Sequence, residues 1–173
     1  MHKILILPAL ILLIAGCGPK PSAETATTPV ESSTPAPTPG PPLPVFNLTN
    51  LDGSNTTTAS LPDNLILIFF NPGCDHCQRE ATAIHGRKKE FSEHEIWFVS
   101  VDSLKNIADF RKEYQLTDSN FHFAGGDVEQ IVTAMGPIPS VPCIYIYRDR
   151  RMVTRLEGEA ELDEILRFAE GSN

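Results

Sequence analysis

Cys74 and Cys77 form a C-x-x-C pair that closely follows the apolar run Leu65–Phe70, with only Asn71-Pro72-Gly73 between. Such a pair, after a buried strand and at the start of a helix, suits reversible dithiol–disulfide chemistry. The helix N-terminus carries partial positive charge and unbonded N–H groups, which favour a thiolate on the first cysteine. Cys74 is then the attacking sulfur, and Cys77, one turn further in, resolves the mixed disulfide. His76, when protonated, favours the reduced form and moves the pair towards an oxidising potential, whereas Asp75 acts in the opposite sense. No separate cofactor is needed, because the redox group is a Cys74–Cys77 disulfide.

Other cysteine chemistries fit less well. Peroxide reduction uses a P-x-x-x-T-x-x-C pattern, and none surrounds Cys74. Covalent haem needs C-x-x-C-H, but Gln78 follows Cys77. Cys74, Cys77, Cys143 and a histidine would make a zinc set only with a second closely spaced ligand pair, which the chain lacks, so no metal is expected.

The N-terminus bears on compartment. Lys3, the apolar stretch Ile4–Ile14 and the small residues Ala15 and Gly16 predict a signal peptide over 1–16. Leu13-Ile14-Ala15-Gly16-Cys17 resembles the bacterial lipobox, which implies cleavage before Cys17 and lipidation of that cysteine. Of four cysteines, Cys74, Cys77 and Cys143 then remain in the folded part, an odd set unlike a disulfide-stapled scaffold. Nine of the fifteen prolines lie between Gly18 and Pro44, among Ser, Thr, Ala and Glu. That composition cannot bury enough surface to offset its ordering entropy, so 17–42 is expected to be a lipidated, disordered tether. Residues 43–173 are left as one domain. The formal charge of −8 argues against nucleic acid as a partner and against polybasic adhesion to lipid.

The elements that position the pair follow from periodicity. Val45–Leu48 and Thr56–Ala59 flank the turn dipeptide Asp52-Gly53 and predict a short antiparallel lead-in. Leu65–Phe70 and Glu95–Val101 predict buried strands, and Phe121–Phe123 a short one. Helices are expected from about Cys74 towards Arg87, from Leu104 to about Tyr114, over Val128–Met135 until Gly136-Pro137, and from Leu162 to Ala169 before Gly171. Cys143–Tyr147 and Met152–Leu156 predict a hairpin turning near Asp149-Arg150. The fold class is therefore α/β: a central mixed sheet flanked by helices, with an N-terminal β extension.

This order, with Asn71-Pro-Gly-Cys-Asp-His-Cys-Gln-Arg-Glu80 and the downstream Val141-Pro142, resembles the bacterial membrane-anchored thioredoxins of the TlpA/ResA type. The resemblance implies a thioredoxin-like fold in which Pro142 is cis and faces the cysteine pair, while the Val141 backbone pairs with an incoming peptide. It also implies that Glu80, where cytochrome-maturation relatives carry a functional glutamate, accepts a proton from Cys77. The alternative for Glu80 is an exposed first-turn residue favoured by the helix dipole. Ile68 stands where cytosolic thioredoxins have a buried aspartate, and Gly73 where the family commonly has tryptophan. Cys143 reads either as a small core residue or as a third thiol able to form an alternative disulfide. The implied function is an envelope thiol–disulfide oxidoreductase, tilted towards a reductant. A disulfide donor and a non-catalytic binding domain are the alternatives. The implied partners are protein dithiols or disulfides and an envelope electron donor. The domain would be lipid-anchored to a membrane and face the periplasm.

Overall fold

Every residue of β3 (Leu65–Phe69) is buried, as a run with no polar side demands. Cover comes from β4 (Glu95–Ser100), parallel on one side, and β6 (Cys143–Arg148), antiparallel on the other. The computed structural model describes residues 40–171; the expected signal peptide, Cys17 and nearly all of the tether lie outside them. The seven-stranded sheet is completed by β1 (Asn47–Asn50), β2 (Asn55–Thr57), β5 (Phe121–Gly126) and β7 (Arg151–Glu157), in the order β2-β1-β5-β4-β3-β6-β7. Strands β3, β4 and β5 run parallel, and the remaining pairings are antiparallel. The mixed sheet with flanking helices is the α/β architecture expected.

Alternation along the strands divides the core in two. On one face Ile66, Ile68, Phe98, Ile144 and Ile146 meet α1 (Asp75–Gly86), α2 (Leu104–Glu113) and α4 (Leu162–Glu170). On the other, Leu65, Leu67, Phe69 and Tyr145 meet α3 (Val128–Met135) and the N-terminal Leu43 and Phe46. At ~1.5–3 kcal/mol per buried large side chain, the five residues of β3 alone contribute on the order of 10 kcal/mol of burial. The strand that delivers Cys74 is therefore among the segments least able to open locally.

Strand β5 departs from expectation. It does not stop at Phe123 but runs on through Ala124-Gly125-Gly126, bonded to both β1 and β4. Two glycines carry no strand signal, yet here they admit their neighbours. A Cβ at 126 would stand 2.6 Å from Ile131 Cδ1, and one at 125 would stand 2.9 Å from Leu104 Cδ2. Close approach of helices to the sheet outweighs weak strand propensity.

Residues ahead of Leu43 also bond to the sheet margin. The Pro41 carbonyl accepts the Met152 N–H at 2.9 Å, and Leu43 N–H donates to the Arg150 carbonyl at 2.8 Å. A proline can accept on a sheet edge without needing to donate, which suits the margin of β7. The β6–β7 turn places both Asp149 and Arg150 at positive φ (50° and 59°), the geometry of a tight hairpin turn. Arg150 is held there by bonds from its guanidinium to the carbonyls of Leu61 and Thr58.

Asp127 caps α3 by accepting the Gln130 N–H at 2.9 Å. Asp127→Ala should lower stability by about 1 kcal/mol, read as a lower urea midpoint at unchanged slope.

Candidate active site

The turn between β3 and α1 is built around Asn71. Its carbonyl accepts the Cys74 N–H at 3.1 Å, and its Oδ1 accepts the Gly73 N–H at 2.8 Å. The Gln78 side chain reaches back to the Pro72 carbonyl at 3.0 Å. Cys74 is thereby set as the N-cap of α1, in extended conformation, with its carbonyl accepting the Gln78 N–H. Its sulfur is partly exposed, and Cys77, a turn inside, is buried; both thiols are free. A Cβ at Gly73 would meet only Asn71 Oδ1, at 3.4 Å, so the flank of Cys74 is open.

Burial pushes the Cys77 thiol up to about 12, against the pull of the Asn71 N–H that points at its sulfur from 3.5 Å. Cys74 and Glu80 push in the same direction as burial. At pH 7 about one Cys77 in 10⁵ would ionise unaided, so its use as a nucleophile calls for a base. Across the site, the Val141–Pro142 peptide is cis, and the Cys74 thiol donates to the Val141 carbonyl at 3.6 Å.

Glu80 is not an exposed first-turn residue. Only 2% of its surface is accessible, and among the described residues it is the one buried carboxylate. Oε2 accepts the Ala160 N–H at 3.0 Å, while Oε1 has no partner among the described residues. Burial pushes Glu80 up to about 7, opposed by the Ala160 N–H and assisted by Glu159 and Glu161. Glu80 in turn raises the Cys77 thiol, so the charges of the two groups are linked.

His76 engages residues outside the cysteine pair. Its Nδ1 lies 2.5 Å from Glu159 Oε1 and 2.8 Å from Arg79 Nη2; as a donor it bonds Glu159, as an acceptor Arg79, and one tautomer makes only one of the two bonds. The ring lies on the exposed side of α1, turned towards the connection between β7 and α4. Arg79 completes the group with Nε at 3.0 Å from both Glu159 oxygens. The Arg79 guanidinium, and then His76, hold the Glu159 carboxyl down at about 2. Asp75 is exposed in the first turn of α1.

A family model described as AhpC/TSA matches residues 39–154, about two thirds of the chain. The chain belongs to the AhpC/TSA family. No curated protein matches it. Among solved structures it is similar to a secreted Mycobacterium tuberculosis disulfide oxidoreductase homologous to E. coli DsbE. That similarity has 21% identity and a TM-score of 0.60 over 73% of this chain and 95% of that one. M. tuberculosis dsbF gives 20% identity and 0.63 over 76% and 98%. The peroxidoxin BcpB of the same organism gives 16% and 0.64 over 78% and 97%. At these identities the shared property is the thioredoxin-like fold.

In this AhpC/TSA-family chain Cys143 stands apart from the pair. It is fully buried and packs with Phe69 and Tyr145 on the sheet face opposite Cys77. The sheet lies between the two sulfurs, which removes the reading of Cys143 as a third exchanging thiol. Burial raises its thiol, and Tyr145 partly offsets this. Cys143→Ala should leave exchange rates and products unchanged, checked by mass mapping of the disulfides formed. Ile68 packs in the same core as Cys77, so no second carboxylate substitutes for Glu80 there.

Sequence reasoning missed Arg79, Glu159 and Ala160. Glu159 is one of many surface acids by composition, and nothing local marks a contact 80 residues away.

Proposed function

We propose that the chain is an envelope thiol–disulfide oxidoreductase of the TlpA/ResA type that reduces protein disulfides. The reading rests chiefly on one arrangement: an accessible sulfur at the start of α1, a buried thiol one turn in, and a buried carboxyl beside that thiol.

The Cys74 thiolate attacks one sulfur of a partner disulfide, and the other leaves as a thiolate that takes a proton from solvent. The Val141 backbone holds the incoming peptide alongside. Cys77 gives its proton to Glu80 and attacks Cys74 Sγ. The Cys74–partner bond breaks, the partner departs as a thiolate, and the Cys74–Cys77 disulfide remains. An envelope dithiol donor restores the pair. Lipid on Cys17 and the segment through 42 would tether the domain to a membrane on its periplasmic side. Among the described residues, no helix is long and apolar enough to cross one.

The engagement of His76 with Glu159 supports the reducing direction, because the cation expected to favour an oxidising potential is occupied elsewhere. The test is the reduction potential of the Cys74–Cys77 pair, together with reduction of insulin by the reduced chain. A value near about −270 mV with insulin turnover is the expected result. A value near about −120 mV would reverse the direction, and no exchange with any model disulfide would sink the reading.

Family membership favours one second reading, peroxide reduction at Cys74. Against it, Leu67 and Asn71 occupy the proline and threonine positions of the P-x-x-x-T-x-x-C pattern. Rapid hydrogen peroxide consumption by the reduced chain would favour it over disulfide exchange.

A further inference from the structure

Glu80 is the buried carboxyl of the site, yet its one hydrogen bond comes from a connection with no regular structure. That bond is the N–H of Ala160, between β7 and α4, donated to Oε2 at 3.0 Å. The residue before it, Glu159, is gripped by the outer side of α1. Arg79 Nε lies 3.0 Å from both of its oxygens, and Arg79 Nη2 and His76 Nδ1 each lie 2.5 Å from Oε1. Residues 76, 79 and 80 of one helix therefore hold residues 159 and 160 of another segment, from both sides. Beside this grip an open cavity of about 360 Å³ reaches Glu80, lined by Arg79, Arg87, Glu159 and Glu161 among others.

We propose that Glu159, held by Arg79 and His76, is a positioning residue for Glu80. The grip presents the Ala160 N–H to Oε2 and leaves Oε1, unpartnered among the described residues, to take the proton of Cys77. This deepens the disulfide-exchange reading and rests on it for the proton's origin. In the resolving step the Cys77 S–H bond breaks and an O–H bond forms on Glu80. The freed electron pair makes the bond to Cys74 Sγ, and the partner's sulfur leaves with the pair of the old bond. Glu80 later gives its proton to water.

The charged and titratable groups facing Glu80 are Cys77 on its own helix, Glu159 and Glu161 across the connection, and Arg79 and Arg87 at the cavity wall. Two effects of losing Glu159 oppose each other. Removing its negative charge alone would lower the pH at which Glu80 ionises. Releasing Ala160 would raise it, because burial would then act without the opposing N–H. An upward shift therefore marks loss of the Ala160 N–H, because removing the Glu159 charge can only move Glu80 the other way.

The experiment follows the Glu80 carboxyl by ¹³C NMR of glutamate-labelled full chain in detergent, its signal assigned by loss in Glu80→Gln. Glu159→Ala is expected to move the midpoint upwards by about half a pH unit or more. Resolution of a Cys74–glutathione adduct at pH 6 should then slow about threefold, in line with the smaller ionised fraction. In a Glu80→Gln background Glu159→Ala should not change the rate. A downward or absent NMR shift in Glu159→Ala overturns the proposal. So does an equal slowing in the Glu80→Gln background. An upward shift in a chain that exchanges no disulfide would support the grip on Glu80 and overturn the exchange reading instead.

Discussion

Cys74→Ser should abolish disulfide exchange, whereas Cys77→Ser should trap the partner. The two sulfurs are chemically alike and differ in surroundings. Cys74 is partly exposed at the cap of α1, and Cys77 is buried with its thiol pushed up to about 12. Only the first can meet a partner disulfide, and only the second is held close enough to displace it. Turnover of insulin should fall about a thousandfold or more in either variant, since each removes an obligatory sulfur. The products separate them. With oxidised glutathione, Cys77→Ser should accumulate a one-to-one adduct on Cys74, seen by intact mass, and Cys74→Ser should form none. An adduct on Cys77 in the Cys74→Ser chain would show that the assigned roles are wrong.

Glu80→Gln should slow the resolving step and, at pH 8, stabilise the fold. The carboxyl ionises near 7 when folded and near its ordinary 4.5 when unfolded, with burial the main cause. Between these values the native state binds more protons than the unfolded state, so stability falls as pH rises. The contribution is fullest below the unfolded value and is lost as pH climbs through about 7. Its size is about 3 kcal/mol for a group only 2% exposed. Glutamine keeps the shape and cannot ionise, so it should be neutral in effect near pH 4 and stabilising above pH 7. Urea unfolding at both pH values checks this; equal differences at the two would contradict it. The same substitution removes the base for Cys77, and resolution should slow about 100-fold at neutral pH while the first attack by Cys74 continues. The stored cost of a buried ionisable group is thus the counterpart of its catalytic use.

Much of this was legible in the chain. The unbroken apolar run Leu65–Phe70, the spacing of Leu162, Ile165 and Leu166, and the Asp149-Arg150 turn each announce their element, because periodicity and turn chemistry act over a few residues. The strand pattern of Phe121–Phe123 stops short of Gly125 and Gly126, which carry a packing requirement that only Leu104 and Ile131 explain.

The site divides in the same way. Cys74, Cys77 and their order of attack follow from position on a single helix N-terminus, and three residues suffice to state it. Whether Glu80 faces water or the core depends on the connection of residues 158–161 packing over α1, and its first turn reads equally well either way. His76 lies two residues from Cys74 in sequence, which is why its charge is expected to act on the pair. Folding turned it to Glu159 instead, where an ion pair with Arg79 was already available. Cys143 follows a proline beside the pair, but the alternation of β6 sends its sulfur through to the far face of the sheet. Local pattern therefore specifies the reacting sulfurs. The burial, proton affinity and partners of the groups around them come from contacts about 80 residues apart, which exist only once the sheet has formed.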